Sequence, residues 1–222
     1  MENSINFSPS YATLFSKISP GDTLTAQSGA MISMSPEVKM KTFIPGGFFK
    51  GFMRKTFAKE SLFMNDFYVE SGKGEVVIAP GYPGNIVEYE LKTDSQEIFL
   101  QPSSFLAKSG DISMDTRFMG FKSFFSGEGA FFLKPSGKGK LFFNSYGDIQ
   151  KVDVENEYIV DTGHLVAFES SLDFHIKGFG GIKSTLFSGE GIVMKFSGKG
   201  ALFLQSRTMK NLAGWLRPFL SK

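Results

Sequence analysis

The chain has 222 residues, 41% apolar and 21% charged, with 24 Lys and Arg against 22 Asp and Glu for a formal charge of +2. That balance excludes wholesale disorder and a collagen-like chain, and it speaks neither for nor against nucleic acid, whose binders need a concentrated basic face. Cysteine is absent and only His164 and His175 carry imidazoles, which excludes disulfide scaffolds, thiolate zinc sites and cysteine nucleophiles and leaves little for a metal centre.

The opening Met1-Glu2-Asn3-Ser4-Ile5-Asn6 lacks the basic segment and long apolar run of a signal peptide, and nowhere do about 18 apolar residues follow one another, so the cytoplasm is the expected location. Short runs rich in Val, Ile, Phe and Tyr then follow: 11–18, 31–34, 63–70, 75–79, 86–91, 98–101, 130–134, 140–143, 157–160, 165–168, 191–196 and 201–205. Gly, Pro, Ser or Asp separates them, and this spacing predicts an all-β sandwich-like body rather than βαβ units. The 26 Phe against 6 Tyr and one Trp supply rings without polar tips, suited to cores and interfaces. At the end, Leu212, Trp215, Leu216, Phe219 and Leu220 fall at i, i+3, i+4, i+7 and i+8, which predicts a helix over 209–220, weakened at Pro218. So short a helix is not stable alone in water, so its stripe is expected to dock on protein.

The strongest signal is self-similarity. Phe121 to Phe143 recurs as Ile182 to Leu204, each copy carrying Ser-Gly-Glu-Gly and then Ser-Gly-Lys-Gly, and a fainter copy runs from Glu60 to Ile78. The three Ser-Gly-Lys-Gly tetrapeptides, starting at Ser71, Ser136 and Ser197, lie between apolar runs and read as hairpin tips. Ahead of them stand three related segments, Ser28 to Ser33, Ser103 to Lys108 and Thr162 to Ala167. In that alignment Asp161 matches Gln27 and Pro102, and His164 matches Ala30 and Phe105.

The runs Gly120 to Gly129, Val160 to Glu169 and Ser184 to Gly191, with Ser28-Gly29-Ala30-Met31, resemble the signature segments of the family of altered inheritance of mitochondria protein twenty-four. The likeness extends from about Tyr11 to Trp215. It implies a β fold similar to that of the tryptophan RNA-binding attenuation protein, without carrying over that protein's ligand or RNA residues. The family's mitochondrial branch is associated with inner-membrane organisation, and its prokaryotic branch, which this compact chain resembles, implies no particular activity.

Asp161-Thr162-Gly163 has the form of the aspartic-protease triplet, but it occurs once, and a dyad needs two carboxylates. Local bonds from Asp161 and Thr162 to backbone in a turn are the simpler expectation. Glu128 and Glu190 hold matching places between glycines and would act as acid and base only if they met in a cleft. His164, opening an apolar strand, is expected to pack. A Gly-, Phe- and Lys-rich insertion at 44–57 has shorter counterparts at 117–122 and 177–183. Its residues Phe48, Phe49, Lys50, Phe52, Arg54, Phe118, Phe121, Lys122, Phe179 and Lys183 form a candidate interaction loop set, read either as rings closing the sandwich end or as a contact surface.

The expected architecture is one all-β domain over 1–222, built of three pseudo-repeated antiparallel β units (about 11–92, 95–154 and 157–208) in a compact β-sandwich-like body, with a short C-terminal helix. The expected role is a non-enzymatic scaffold or interaction protein with no catalytic, cofactor or metal residues. It would act as a homo-oligomer or at a membrane surface or protein partner, with Leu212, Trp215, Leu216 and Phe219 as a docking helix and nucleic acid disfavoured. The alternatives are a hydrolase using Asp161, Glu128 and Glu190, or a binding module for a small apolar ligand or nucleic acid.

Overall fold

Runs that alternate buried and exposed residues cannot stay single in water, and in the computed structural model, which describes residues 1–44, 63–93, 97–119, 130–178 and 192–220, they pair into antiparallel sheets. The first group comprises β1 (Glu2–Asn6), β2 (Thr13–Ile18), β3 (Leu24–Gln27), β4 (Met31–Met34), β5 (Lys39–Phe43), β6 (Met64–Tyr68) and β7 (Gly74–Ile78). The second comprises β8 (Ile86–Leu91), β9 (Ile98–Leu100), β10 (Phe105–Met119) and β11 (Ala130–Asn144). The third comprises β12 (Ile149–Val154), β13 (Glu157–Asp161), β14 (Leu165–Glu169), β15 (Leu172–Gly178), β16 (Ile192–Gly198) and β17 (Gly200–Gln205), and the helix α1 (Met209–Leu216) follows. The all-β fold class with a short C-terminal helix therefore holds, and β1, β3, β5, β10, β12 and β15 add to the predicted runs.

Register relates the three groups. Ile18 pairs with Gly74, Leu91 with Gly139 and Val154 with Gly200, so β2, β8 and β12 lie alike against the strand that follows each Ser-Gly-Lys-Gly. In the opposing layer β3-β6-β5, β9-β11-β10 and β13-β16-β15 share one order. This pairing puts β8 at the head of the second group and β12 at the head of the third, so the unit boundaries expected near 92–95 and 154–157 move upstream of those strands. Turn residues stand on both sides of a leading strand, Pro80-Gly81-Tyr82-Pro83-Gly84 before β8 and Lys92-Thr93-Asp94-Ser95 after it, so local sequence does not choose between the two boundaries.

The tetrapeptides are not hairpin tips. β6 pairs with β3 and β5 while β7 pairs with β2 and β4, β16 and β17 belong to different sheets, and β11 runs unbroken through Ser136-Gly137-Lys138-Gly139. Each is a corner at which one strand leaves one layer and enters the other. Gly137 has φ +111°, and an added Cβ there would meet the Asp111 carbonyl across the β10–β11 ladder. Gly198, at φ +113°, turns the same corner in the third group.

Neighbouring groups join through strands that carry a bulge. The ladder slips between Phe105 and Ala107 in β10 and between Leu165 and Ala167 in β14, leaving Leu106 and Val166 as the extra residues. Past the bulge, β10 pairs with β3 of the first group, Ala107 opposite Ala26, and β14 pairs with β9 of the second, Ala167 opposite Leu100. Leu106 then lies in the first core with Leu24, Ala26 and Phe67, and Val166 in the second with Leu100, Leu133 and Phe143. A third core gathers Phe99, Phe132, Phe168, Met194 and Phe196. β4 has the same slip, at Ile32. Aligned on the bulges, Asp161 corresponds to Gln101 rather than Pro102, and His164 to Ser104 rather than Phe105; residue type alone could not reveal the single-residue displacement.

Gly137→Ala combines a positive φ with a backbone collision and is expected to cost about 1–3 kcal/mol, read as a lowered midpoint in thermal or urea unfolding. Gly81, which has open space around it, is the control: Gly81→Ala is expected to stay within about 0.5 kcal/mol of wild type.

Candidate functional site

The triplet at Asp161 is a turn. Asp161 Oδ1 accepts from the Gly163 backbone N–H at 2.7 Å and caps the 3-10 turn Thr162–His164. His164 Nδ1–H donates to the Gln205 carbonyl at 2.6 Å, while the Gln205 side chain donates to the Gly163 carbonyl and accepts from the Tyr146 N–H. Asp161 thus makes the local turn bond expected of it, whereas His164, expected to pack, also fixes the strand entrance through a hydrogen bond. His175 stands exposed on β15 opposite Lys195. Glu128 and Glu190 lie outside the described residues.

Among the described residues, Lys108 is a half-buried cation with a displaced titration, on the joint between the first and second groups. Its ammonium donates to the Ile112 carbonyl, and burial holds its pKa below the ordinary lysine value although Asp66 and Asp111 pull it upward. Asp66 in turn accepts from the Thr25 hydroxyl at 2.6 Å. These groups tie β10, β3 and β6 together. A groove beside them is lined by Asp22, Thr23, Ser109, Asp111 and Lys140. Among the described residues no three His, Asp or Glu side chains gather as metal ligands.

Apolar side chains among the described residues are open at the C-terminal helix and along two strand edges. Thr208 caps α1 by accepting from the Asn211 N–H at 3.1 Å, and the helix passes into a 3-10 turn, Arg217–Phe219. Leu212 is half-buried, but Trp215, Leu216, Phe219 and Leu220 are exposed, with the Trp215 and Phe219 rings 5.6 Å apart. The helix is where periodicity placed it, yet its stripe is not docked on the chain's own sheets. The two strand edges were not foreseen as sites: along β4 every residue is exposed, Met31, Ile32 and Met34 included, and Tyr158 and Ile159 of β13 are exposed as well. The sequence signal was there in the unbroken apolar-rich 31–34, but nothing in it told a buried strand from an open one.

Of the loop candidates, Phe48, Phe49, Lys50, Phe52, Arg54, Phe121, Lys122, Phe179 and Lys183 lie outside the described residues. Phe118 pairs with Phe131 in the β10–β11 ladder, and its side chain is likewise outside them. No helix among the described residues is long and apolar enough to cross a membrane.

A family model described as mitochondrial biogenesis AIM24 matches residues 4–207. An uncharacterized protein of Streptococcus pyogenes serotype M6 is 30% identical over 210 residues, covering 90% of this chain and 83% of its own length. The crystal structure of a Streptococcus pyogenes protein superposes with a TM-score of 0.78 at 26% identity, over 99% of each chain.

Asp161→Ala is expected to lower the urea midpoint by the equivalent of about 1 kcal/mol, the usual worth of a lost cap, while Asp161→Asn, which keeps an acceptor, restores most of it. Equal losses in both variants would show that the charge, not the cap, matters.

Proposed function

The chain belongs to the mitochondrial biogenesis AIM24 family, and we propose that it is a non-enzymatic interaction protein that works by self-association and by contact with a membrane surface. The observation that carries this reading is the stripe of Trp215, Leu216, Phe219 and Leu220, left uncovered at the end of the β body. Apolar side chains of this size are normally covered, and an amphipathic segment of this length does not hold its shape in water without a surface to lie on. Lys210 and Arg217 flank the stripe, so an anionic lipid headgroup layer complements it in charge as well as polarity.

Trp215 is the single tryptophan, and its emission therefore reports on the stripe alone. Vesicles of phosphatidylcholine with phosphatidylglycerol are expected to shift that emission to the blue and to carry the protein into the pellet. Salt and the double change Leu216→Ser/Phe219→Ser are expected to abolish both effects. Unshifted emission and an empty pellet with the wild type would contradict the membrane contact, and a monomeric mass at every concentration in light scattering would contradict self-association.

A further inference from the structure

Three groups of strands make two joints, and the two surfaces that a third joint would use are both open. At the first joint β10 of the second group lies on β3 of the first, and at the second β14 of the third group lies on β9 of the second. The corresponding strands left over are β4 of the first group and β13 of the third, each at the edge of its sheet. Their exposure is what the missing joint predicts. The bulge residues Leu106 and Val166 are each 0% exposed, whereas Ile32, at the same place in β4, is 59% exposed. On the receiving side Thr25 is 6% and Phe99 8% exposed, whereas their counterpart Ile159 in β13 is 55% exposed.

We infer that β13 of one copy receives β4 of a second copy, head to tail, with Ile32 entering the third core as Leu106 enters the first and Val166 the second. This deepens the self-association reading above and rests on it. The register follows from the two existing joints. Ala26 faces Ala107 and Thr25 faces Lys108, and Leu100 faces Ala167 and Phe99 faces Phe168. Counted from the bulges, Val160 faces the second copy's Ser33 and Ile159 its Met34. The occupant is another copy of this chain because β4 repeats the bulge of β10 and β14, the two strands this fold already seats against β3 and β9, the counterparts of β13. The contact uses two different surfaces, so an open assembly of any length still offers one of each at its ends, and it grows until it closes into a ring or continues as a filament. Strand addition of this kind also removes two apolar edges that would otherwise invite aggregation.

The absence of cysteine makes a direct test available. Residues facing one another across an antiparallel ladder have Cα atoms about 4.5–5.5 Å apart, within reach of a disulfide. Met34→Cys and Ile159→Cys alter exposed side chains, so each variant is expected to keep the wild-type far-UV spectrum and melting profile. Under mild oxidation a mixture of the two is expected to give a covalent dimer, and neither variant alone to do so. A dimer from one variant alone would overturn the head-to-tail arrangement in favour of like-on-like pairing. An internal cross-link in the double variant, giving an oxidised monomer, would overturn it in favour of closure within one chain. If the wild type is oligomeric by light scattering but the mixture stays uncross-linked, these edges are wrong while self-association stands. A wild type that is monomeric throughout removes both.

Discussion

The body depends on a borrowed side chain. Each joint buries one bulge residue, Leu106 or Val166, in the core of the preceding group rather than in its own. Burial of such a side chain is worth about 1.5–3 kcal/mol, and a group of about 60 residues on its own sits near the lower limit of what a single core sustains. The groups therefore behave as neighbours in a short array, each contributing to the next, and not as three independent domains. Hydrogen bonding follows the same path: Tyr89 of the second group donates to Glu169 of the third at 3.0 Å, and the other Glu169 oxygen accepts from the Ala201 N–H.

What allows a strand to serve two layers is the glycine corner. With Gly137 and Gly198 at positive φ, a strand can run in one sheet, turn, and pair in the other without a break in chain direction. A side chain at Gly137 would have to displace the facing backbone of β10. The corner thus couples the layers within a group, and the bulge couples one group to the next.

Much of this architecture was legible in the sequence. The repeated Ser-Gly-Lys-Gly, the short aromatic runs and the period of the last helix each correspond to a structural element. The misreading of Ser71, Ser136 and Ser197 as hairpin tips has a definite cause. Gly between two apolar runs signals positive φ, but a tip and a corner need the same backbone conformation, and only long-range pairing decides between them. The bulge at Leu106 was equally hidden, since a single extra residue leaves no mark in composition, and it displaced the match between Asp161 and its counterpart by one position. Asp161 itself was readable as a turn residue, because its short carboxylate reaches its own backbone two residues on. Exposure of β4 and β13 was not readable: β4 is apolar like β10 and β14, β13 is apolar like β3 and β9, and what differs is whether a neighbouring group pairs with them.

The C-terminal helix begins after Thr208, against the turn at Gly163, at the same end of the third group as β13. In the proposed assembly like joints would repeat the helix once per copy, multiplying weak individual lipid contacts. The central claim is that the bulge residue belongs to the neighbour's core, and comparing Leu106→Ala with Ile32→Ala tests it most directly. In dilute, monomeric protein, urea unfolding is expected to show Leu106→Ala destabilised by about 2–5 kcal/mol and Ile32→Ala within about 0.5 kcal/mol of wild type, with Ile32→Ala losing mass relative to wild type in light scattering at high concentration. Equal destabilisation of the dilute protein by both changes, or tolerance of Leu106→Ala, would contradict the account.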